Sequence, residues 1–219
     1  MKKQYVTLLA MLFAGISFCV ADDFVAKYKV GDTGPGDGIV FYVSKEGFTI
    51  TDGYGEKKVY HYLEVSKTDL TTDEAFITFC PCTEKTGIHK ETEKLPFPKN
   101  ESYWGNDREK LFTGKAKTYD FVRNMTHPGG APNKQNCAAQ LCYTYTTATT
   151  QKGDWYLPCE NEMLLLYISS RYMMDTSILY NPMREYKYWT FYGVMDFCDG
   201  HFISYERESQ FSVRAIHAF

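Results

Sequence analysis

A short segment near the C-terminus carries aromatic rings, carboxylates and an imidazole, a combination suited to holding a sugar. An exposed aromatic ring offers a flat apolar face to a sugar ring, and nearby polar side chains bond its hydroxyls. We therefore predict a ligand-binding surface formed by Tyr188, Trp189, Tyr192, Asp196, Asp199 and His201. The alternative is that Trp189 belongs to the core and the polar residues only form turns. Trp155 is assigned to the core.

Cysteines are the second set of residues whose side chains could take part in chemistry. An even number in an exported chain is typical of disulfides, and bridges should join distant segments because neighbouring cysteines are poorly placed for one another. The alternative is a zinc site built from Cys80, Cys82, Cys137 and Cys142, but their CxC and Cx4C spacings fit the usual paired CxxC pattern badly. We predict no metal, with these disulfide candidates: Cys80, Cys82, Cys137, Cys142, Cys159 and Cys198.

No motif for catalysis stands out in the chain. The G-x-S-x-G turn that exposes a serine nucleophile in α/β-hydrolases does not occur. Nothing in the spacing of the carboxylates places two of them across a cleft, as glycoside cleavage requires. We predict no catalytic residue, no cofactor and no enzymatic activity.

The N-terminus has the pattern of a secretory signal peptide over residues 1–21. Lys2 and Lys3 precede an apolar run over residues 6–20, and Cys19 and Ala21 are small residues at the −3 and −1 positions of a cleavage site. The run is shorter than the roughly 20 residues of a membrane-spanning helix. A membrane anchor and lipidation at Cys19 are the alternatives. We predict a secreted, periplasmic or surface protein with no membrane span after cleavage.

Charge argues against a nucleic-acid partner. The whole chain has a formal net charge of −3, and loss of the signal peptide removes two lysines and no acid, which leaves −5. No run of lysine and arginine provides the basic surface that nucleic acids require.

The order of the predicted elements is strands, helices, strands, which is typical of an α+β domain over residues 22–219. Strands 39–43 and 59–65 are predicted to form a hairpin, and residues 66–134 a polar, irregular insertion. A helix is predicted over 135–145. A second should run from 160 to 174, started by a capping box between Cys159 and Glu162. The last strands are predicted over 186–192, 200–205 and 211–219.

Four segments carry a resemblance to a known family. They are VGDTGPGDGIVFY at 30–42, the AAxxC helix at 138–142, GDWYLPCENEM at 153–163 and SVRAIHAF at 212–219. In these the chain resembles the Lcl C-terminal domain family, named after a collagen-like Legionella adhesin, and more distantly the Fibrobacter major paralogous domain. The resemblance covers about residues 30–65 and 135–219. Cys159 and His217 depart from it, because the family usually has Ser or Thr and commonly Arg there.

The resemblance implies a C-type-lectin-like fold, with a twisted antiparallel sheet, two helices and loops above them. It also implies an exported surface protein, since the namesake is an adhesin whose domain binds glycosaminoglycans. We expect an exported binding or adhesion module that recognises a glycan or a protein on a host or neighbouring surface. The alternatives are a structural cell-envelope protein and, through the lectin lineage, a copper oxidase, although Cys198 has no second cysteine shortly before it.

Calcium-dependent sugar binding is a further possibility within the lectin lineage. Glu160-Asn161-Glu162 and Trp104-Gly105-Asn106-Asp107 are similar to the EPN and WND motifs of sugar-binding lectins. The first lacks the proline and the second is interrupted by glycine, so we predict no calcium site.

Overall fold

A computed structural model gives the fold. The predicted signal peptide lies outside the described residues, as do Cys80, Cys82 and Tyr192. Within the part of the chain that is described, no helix is long and apolar enough to cross a membrane. The described residues are 24–52, 54–70, 77–78, 112–125, 137–172, 183, 186–191, 193–205 and 209–219.

The described residues form antiparallel sheets and three helices, with runs of strands before and after the helices, which confirms the α+β class. The helices within the described residues are α1 (Gly114–Met125), α2 (Ala138–Thr144) and α3 (Glu160–Tyr172). The strands are β1 (Ile39–Thr51), β2 (Lys57–Val65), β3 (Ile77–Thr78), β4 (Trp155–Tyr156), β5 (Lys187–Trp189), β6 (Val194–Asp196), β7 (Phe202–Ile203), β8 (Gln210–Phe211) and β9 (Ile216–Ala218).

The largest sheet has the order β1-β2-β9-β4, with antiparallel pairing throughout. The predicted hairpin is confirmed as β1 and β2, although both strands are longer than the sequence indicated. Their register shifts between Val43 and Phe48, where Gly47 has a φ of +76° that favours glycine. Strand β9 lies between β2 and β4, so it joins the β1–β2 hairpin to β4.

Smaller sheets flank the main one, with the orders β5-β6-β7 and β3-β8. The prediction of one strand over 211–219 was wrong, because β8 and β9 are separated by four residues. In that gap the Ser212 N–H donates to the Lys187 carbonyl (3.0 Å), and the Ser212 carbonyl accepts from the Trp189 N–H (3.0 Å). The chain therefore leaves one sheet and crosses to another there. Strand β6 was not predicted.

The start of α3 follows the predicted capping box. The Glu162 carboxylate accepts a hydrogen bond from the backbone N–H of Cys159 at 2.7 Å, which satisfies a donor that the helix itself leaves unpaired. Helix α2 is also confirmed, and the Cys137 sulfur caps it by accepting from the Gln140 N–H at 3.4 Å.

Helix α1 corrects the prediction that residues 66–134 are irregular. Its buried side chains are few, and one of them, Thr118, is polar, so the sequence shows little of the apolar periodicity that marks a helix. Phe121 and Val122 are buried by the same helix. The stability of α1 therefore depends on contacts with the rest of the fold.

A buried carboxylate organises the glycine-rich loop that precedes β1. Glu64 is fully buried and accepts hydrogen bonds from the N–H groups of Gly36 (2.8 Å) and Gly38 (2.9 Å). The Nδ1 of His217 lies 2.7 Å from the same carboxylate. A Cβ added to Gly36 would lie 2.3 Å from Glu64 Oε1, so the loop can approach the carboxylate only because it is made of glycine. The loop thereby has a structural role.

Candidate functional site

The aromatic members of the predicted ligand surface lie in the core. Tyr188 is 0% exposed and Trp189 is 2% exposed. The Tyr188 hydroxyl donates to Asp69 at 3.2 Å, and the Trp189 ring packs edge-on against Phe211 with 5.2 Å between centroids. The expectation that these two rings are open to a sugar was therefore wrong, and the core alternative for Trp189 holds.

The polar members of that surface lie at the end of β6, where Asp196 is the last residue, and on the turn between β6 and β7, which holds Asp199 and His201. Asp196 pairs with Lys187 (2.8 Å) and accepts from the Cys198 N–H (2.9 Å), so it stabilises the turn. Asp199 accepts a backbone hydrogen bond from His201, which lowers the pKa of that carboxyl. The Asp199 and His201 side chains are 55% and 76% exposed, whereas Asp196 is 13% exposed and the rings of Tyr188 and Trp189 are buried.

Of the described cysteines, Cys137, Cys142 and Cys159 are buried and Cys198 is exposed. None of these four is bonded to another of them, and the other two disulfide candidates, Cys80 and Cys82, lie outside the described residues. Burial raises the pKa of Cys159 to about 12 and that of Cys142 well above its usual value, so both are thiols at neutral pH. In the described ranges no three His, Cys, Asp or Glu side chains are grouped to hold a metal ion.

A cleft with a volume of about 370 Å³ opens where the β1–β2 turn, α1 and the loop before β4 meet. We call it the tyrosine cleft. Its lining includes five tyrosines, three lysines and two aspartates: Tyr54, Tyr60, Tyr119, Tyr143, Tyr156, Lys58, Lys115, Lys152, Asp52 and Asp154.

Three of the tyrosine rings form a row along the cleft. Tyr54 is 80% exposed, and its ring centroid lies 4.9 Å from that of Tyr119. Tyr119 in turn meets Tyr143 edge-on at 6.4 Å. A side-chain hydrogen bond with Tyr54 raises the pKa of the Tyr119 hydroxyl, which links the first two rings. The row presents apolar ring area and hydroxyl groups to the same space.

Lysine side chains lie over tyrosine rings at the cleft. Lys58 Nζ is 5.2 Å and Lys115 Nζ is 5.6 Å from the centre of the Tyr60 ring, and Lys152 Nζ is 5.3 Å from that of Tyr143. These are cation–π distances. Burial raises the pKa of Tyr60, with further contributions from the two aspartates, so its hydroxyl stays protonated. The cleft therefore offers cations and hydroxyl donors together.

The two aspartates of the cleft also hold its turns. Asp52 Oδ1 accepts from the N–H groups of Tyr54 (2.8 Å) and Glu56 (2.9 Å). Asp154 Oδ2 accepts from the Gln151 N–H at 2.8 Å. In each aspartate the other carboxylate oxygen takes no part in these turn hydrogen bonds, and the turns fix where the carboxylates lie.

Buried polar contacts position α1, which carries Lys115 and Tyr119. The Thr118 hydroxyl accepts from the Leu157 N–H at 3.0 Å, which connects the helix to the segment after β4. Glu162 accepts from the Gly114 N–H at the start of α1, and burial raises the pKa of this carboxyl to about 7. The side of the cleft formed by α1 is thus attached to the core at two points.

Sequence reasoning missed this cleft because its residues come from distant segments. Tyr119 lies in the region predicted to be irregular, and Tyr54 and Lys58 were assigned only to the hairpin. The only local signal was the high tyrosine content, 18 residues, which does not say which rings meet.

Comparisons of the chain with protein-family models, with curated protein sequences and with solved structures found no match.

Proposed function

We propose that this protein is an exported binding module that recognises a saccharide in the tyrosine cleft. The observation that supports the proposal is the row formed by Tyr54, Tyr119 and Tyr143 along an open cleft. Ring faces pack against the apolar face of a sugar ring, and tyrosine hydroxyls bond its polar groups. A C-type-lectin-like arrangement and a surface or periplasmic location belong to the same proposal, on the resemblance and the signal-peptide pattern given above.

The polar groups at the cleft suit a polyhydroxylated ligand. Asp52 and Asp154 offer carboxylate acceptors for sugar hydroxyls, and Lys152 offers a donor at the rim. Their turns are fixed by backbone hydrogen bonds, so little ordering cost accompanies binding. This combination of ring area and placed hydrogen-bonding groups is typical of small-molecule sites.

A glycan array with the intact purified chain, followed by titration of the best ligand, tests the proposal. Tyr119→Ala should weaken binding about tenfold, equivalent to about 1.4 kcal/mol, because it removes the middle ring of the row. Tyr172→Ala is the matched control, since this tyrosine is 77% exposed and does not line the cleft. A chelator arm tests for calcium dependence.

Two outcomes would overturn the saccharide proposal. One is the absence of saturable binding to any glycan, which would move the search to a protein partner of the exported module. The other is an equal loss of affinity in Tyr119→Ala and Tyr172→Ala. Circular dichroism of each variant confirms that a loss of binding is not a loss of fold.

A further inference from the structure

Two ammonium groups share one aromatic ring at the tyrosine cleft. Lys58 Nζ and Lys115 Nζ lie 5.2 and 5.6 Å from the centre of the Tyr60 ring. The ring attracts each cation, but the like charges repel one another. The neutral form of one of the two amines relieves this repulsion.

Lys115 is the amine that the fold pushes toward the neutral form. It is the second residue of α1 and so lies at the positive end of the helix dipole, where a cation is unfavourable. The first turn of α1 contains no acidic residue to offset this. Lys115 is also half-buried, whereas Lys58 is exposed. Burial lowers the pKa of Lys115, and the charge of Lys58 lowers it further.

Two carboxylates oppose this effect without cancelling it. Asp154 and Asp52 raise the pKa of Lys115, but the net shift is downward. Asp52 Oδ1 and Asp154 Oδ2 are already engaged by backbone N–H groups of their turns. Among the ion pairs of the described residues, none joins Lys115 to either aspartate. Lys115 therefore keeps an accessible amine at the cleft.

We propose that Lys115 adds covalently and reversibly to the carbonyl group of a small aldehyde bound in the tyrosine cleft. The lone pair of the neutral amine attacks the carbonyl carbon, and the carbonyl oxygen takes up the proton that the nitrogen releases, which gives a carbinolamine. Loss of one water molecule then forms the imine, and addition of water reverses the reaction. No oxidant or reductant takes part. This goes beyond saccharide binding, although it uses the same cleft.

Reductive trapping on the intact chain tests the proposal. Glycolaldehyde, a small hydroxylated aldehyde, is added at pH 7 with sodium cyanoborohydride, and peptide mass spectrometry ranks the lysines by their rate of modification. Lys115 should be modified faster than Lys152, because its lowered pKa leaves a larger fraction of the Lys115 amine neutral and nucleophilic at pH 7. Equal rates at the two lysines would overturn the proposal.

Substitution of the neighbouring cation provides the second arm. Lys58→Gln should slow modification of Lys115, because removing the positive charge raises the pKa of the remaining amine. Lys57→Gln, at the exposed neighbouring position of β2 that does not line the cleft, should leave the rate at Lys115 unchanged. If Lys58→Gln leaves that rate unchanged while the circular dichroism spectrum is native, the proposed activation is wrong.

The two proposals fail separately. Non-covalent saccharide titrations contain no reductant and report only on the binding module. Glycan binding without preferential modification of Lys115 would overturn the aldehyde proposal alone. Preferential modification without glycan binding would overturn the saccharide proposal alone.

Discussion

The Glu162 carboxylate lies 2.7 Å from the backbone nitrogen of Cys159, in a fully buried site at the start of α3. The same carboxylate accepts from the Tyr156 hydroxyl at 3.2 Å and from the Gly114 N–H at the start of α1. One side chain therefore holds the first turns of two helices, and one of these helices carries a wall of the tyrosine cleft.

Glu162 should make the stability of the protein depend on pH below neutrality. Burial raises the pKa of this carboxyl from 4.5 to about 7, so the folded state binds the proton more tightly than the unfolded chain. The stabilisation from protonation is complete below about pH 4.5 and is lost as pH rises through 7, by roughly 3 kcal/mol in total. Urea unfolding between pH 4.5 and 8 should show this fall in the native protein and its absence in Glu162→Gln.

The side chains of Cys159 and Tyr156, which share the site with Glu162, do not account for a slope in this range. The pKa of Cys159 is raised to about 12 and that of Tyr156 is raised well above its usual value, so neither titrates between pH 4.5 and 8. Glu56→Gln, at the exposed β1–β2 turn, removes the same charge outside the core. If the free energy of unfolding of Glu162→Gln falls with pH as steeply as that of Glu56→Gln, another group causes the pH dependence.

Gly38 should be the glycine least tolerant of a side chain in the loop around Glu64. An added Cβ would lie 2.7 Å from the carbonyl oxygen of Val65 and 2.8 Å from the Trp155 ring. The Gly38 N–H also donates to Glu64 at 2.9 Å. Gly38→Ala should therefore lower the free energy of unfolding by about 4 kcal/mol, through overpacking and a damaged buried hydrogen bond.

Gly55→Ala separates crowding from backbone strain. Gly55 has a φ of +88°, but a Cβ there meets no atom within 4 Å. Gly55→Ala should therefore lower the free energy of unfolding only by the strain of an alanine in the left-handed region, about 1–2 kcal/mol. Denaturation midpoints of the two variants check the difference, and an equal loss in both would show that the loop moves to accept the methyl group of Gly38→Ala.

The sequence was informative wherever one residue type determines a local conformation. The capping box of α3 was predicted because Glu162 stands three residues after Cys159, and the structure has that hydrogen bond. Trp155 was assigned to the core and is 0% exposed. The hairpin followed from its β-branched and aromatic residues, although its outer half, beyond Gly47, was missed.

Features that depend on distant contacts were not predictable in this way. Helix α1 shows little apolar periodicity, because Thr118 takes a buried position and meets a backbone N–H that comes 39 residues later. Tyr188 and Trp189 have the residue types of a sugar platform, but burial decides their role, and burial depends on the sheet that covers them. The contact of Tyr54 with Tyr119 could not be predicted for the same reason, because it joins the β1–β2 turn to α1, a helix that the sequence did not predict.

Thr118 should prove to be the polar contact that attaches α1 to the core. Its hydroxyl is the acceptor for the Leu157 N–H at 3.0 Å, and the side chain is 1% exposed. Thr118→Val keeps the shape but leaves that N–H buried without an acceptor, a cost of about 1–3 kcal/mol. Thr118→Ser keeps the hydroxyl and loses one methyl group, about 1 kcal/mol. Amide hydrogen exchange at Leu157 should accelerate in the valine variant only, and equal exchange in both would contradict the contact.

Trp189 and His201 should respond to substitution in opposite ways, although the sequence grouped them in one surface. Trp189→Ala removes a large ring from the core, where it packs against Phe211, and should lower the free energy of unfolding by about 3–5 kcal/mol. His201→Ala changes a side chain that is 76% exposed, and its effect on stability should stay within about 0.5 kcal/mol. Thermal unfolding measures both.

The pair also distinguishes the tyrosine cleft from the surface first predicted. If a ligand binds at the turn after β6, His201→Ala reduces its affinity without changing stability. If it binds in the cleft, His201→Ala leaves the affinity unchanged and Tyr143→Ala reduces it, because the Tyr143 ring belongs to the row that includes Tyr119. A loss of affinity in Trp189→Ala carries no information about the site, since that variant loses a buried ring. Titrations of His201→Ala and Tyr143→Ala, at a temperature where both are fully folded, therefore locate the binding surface.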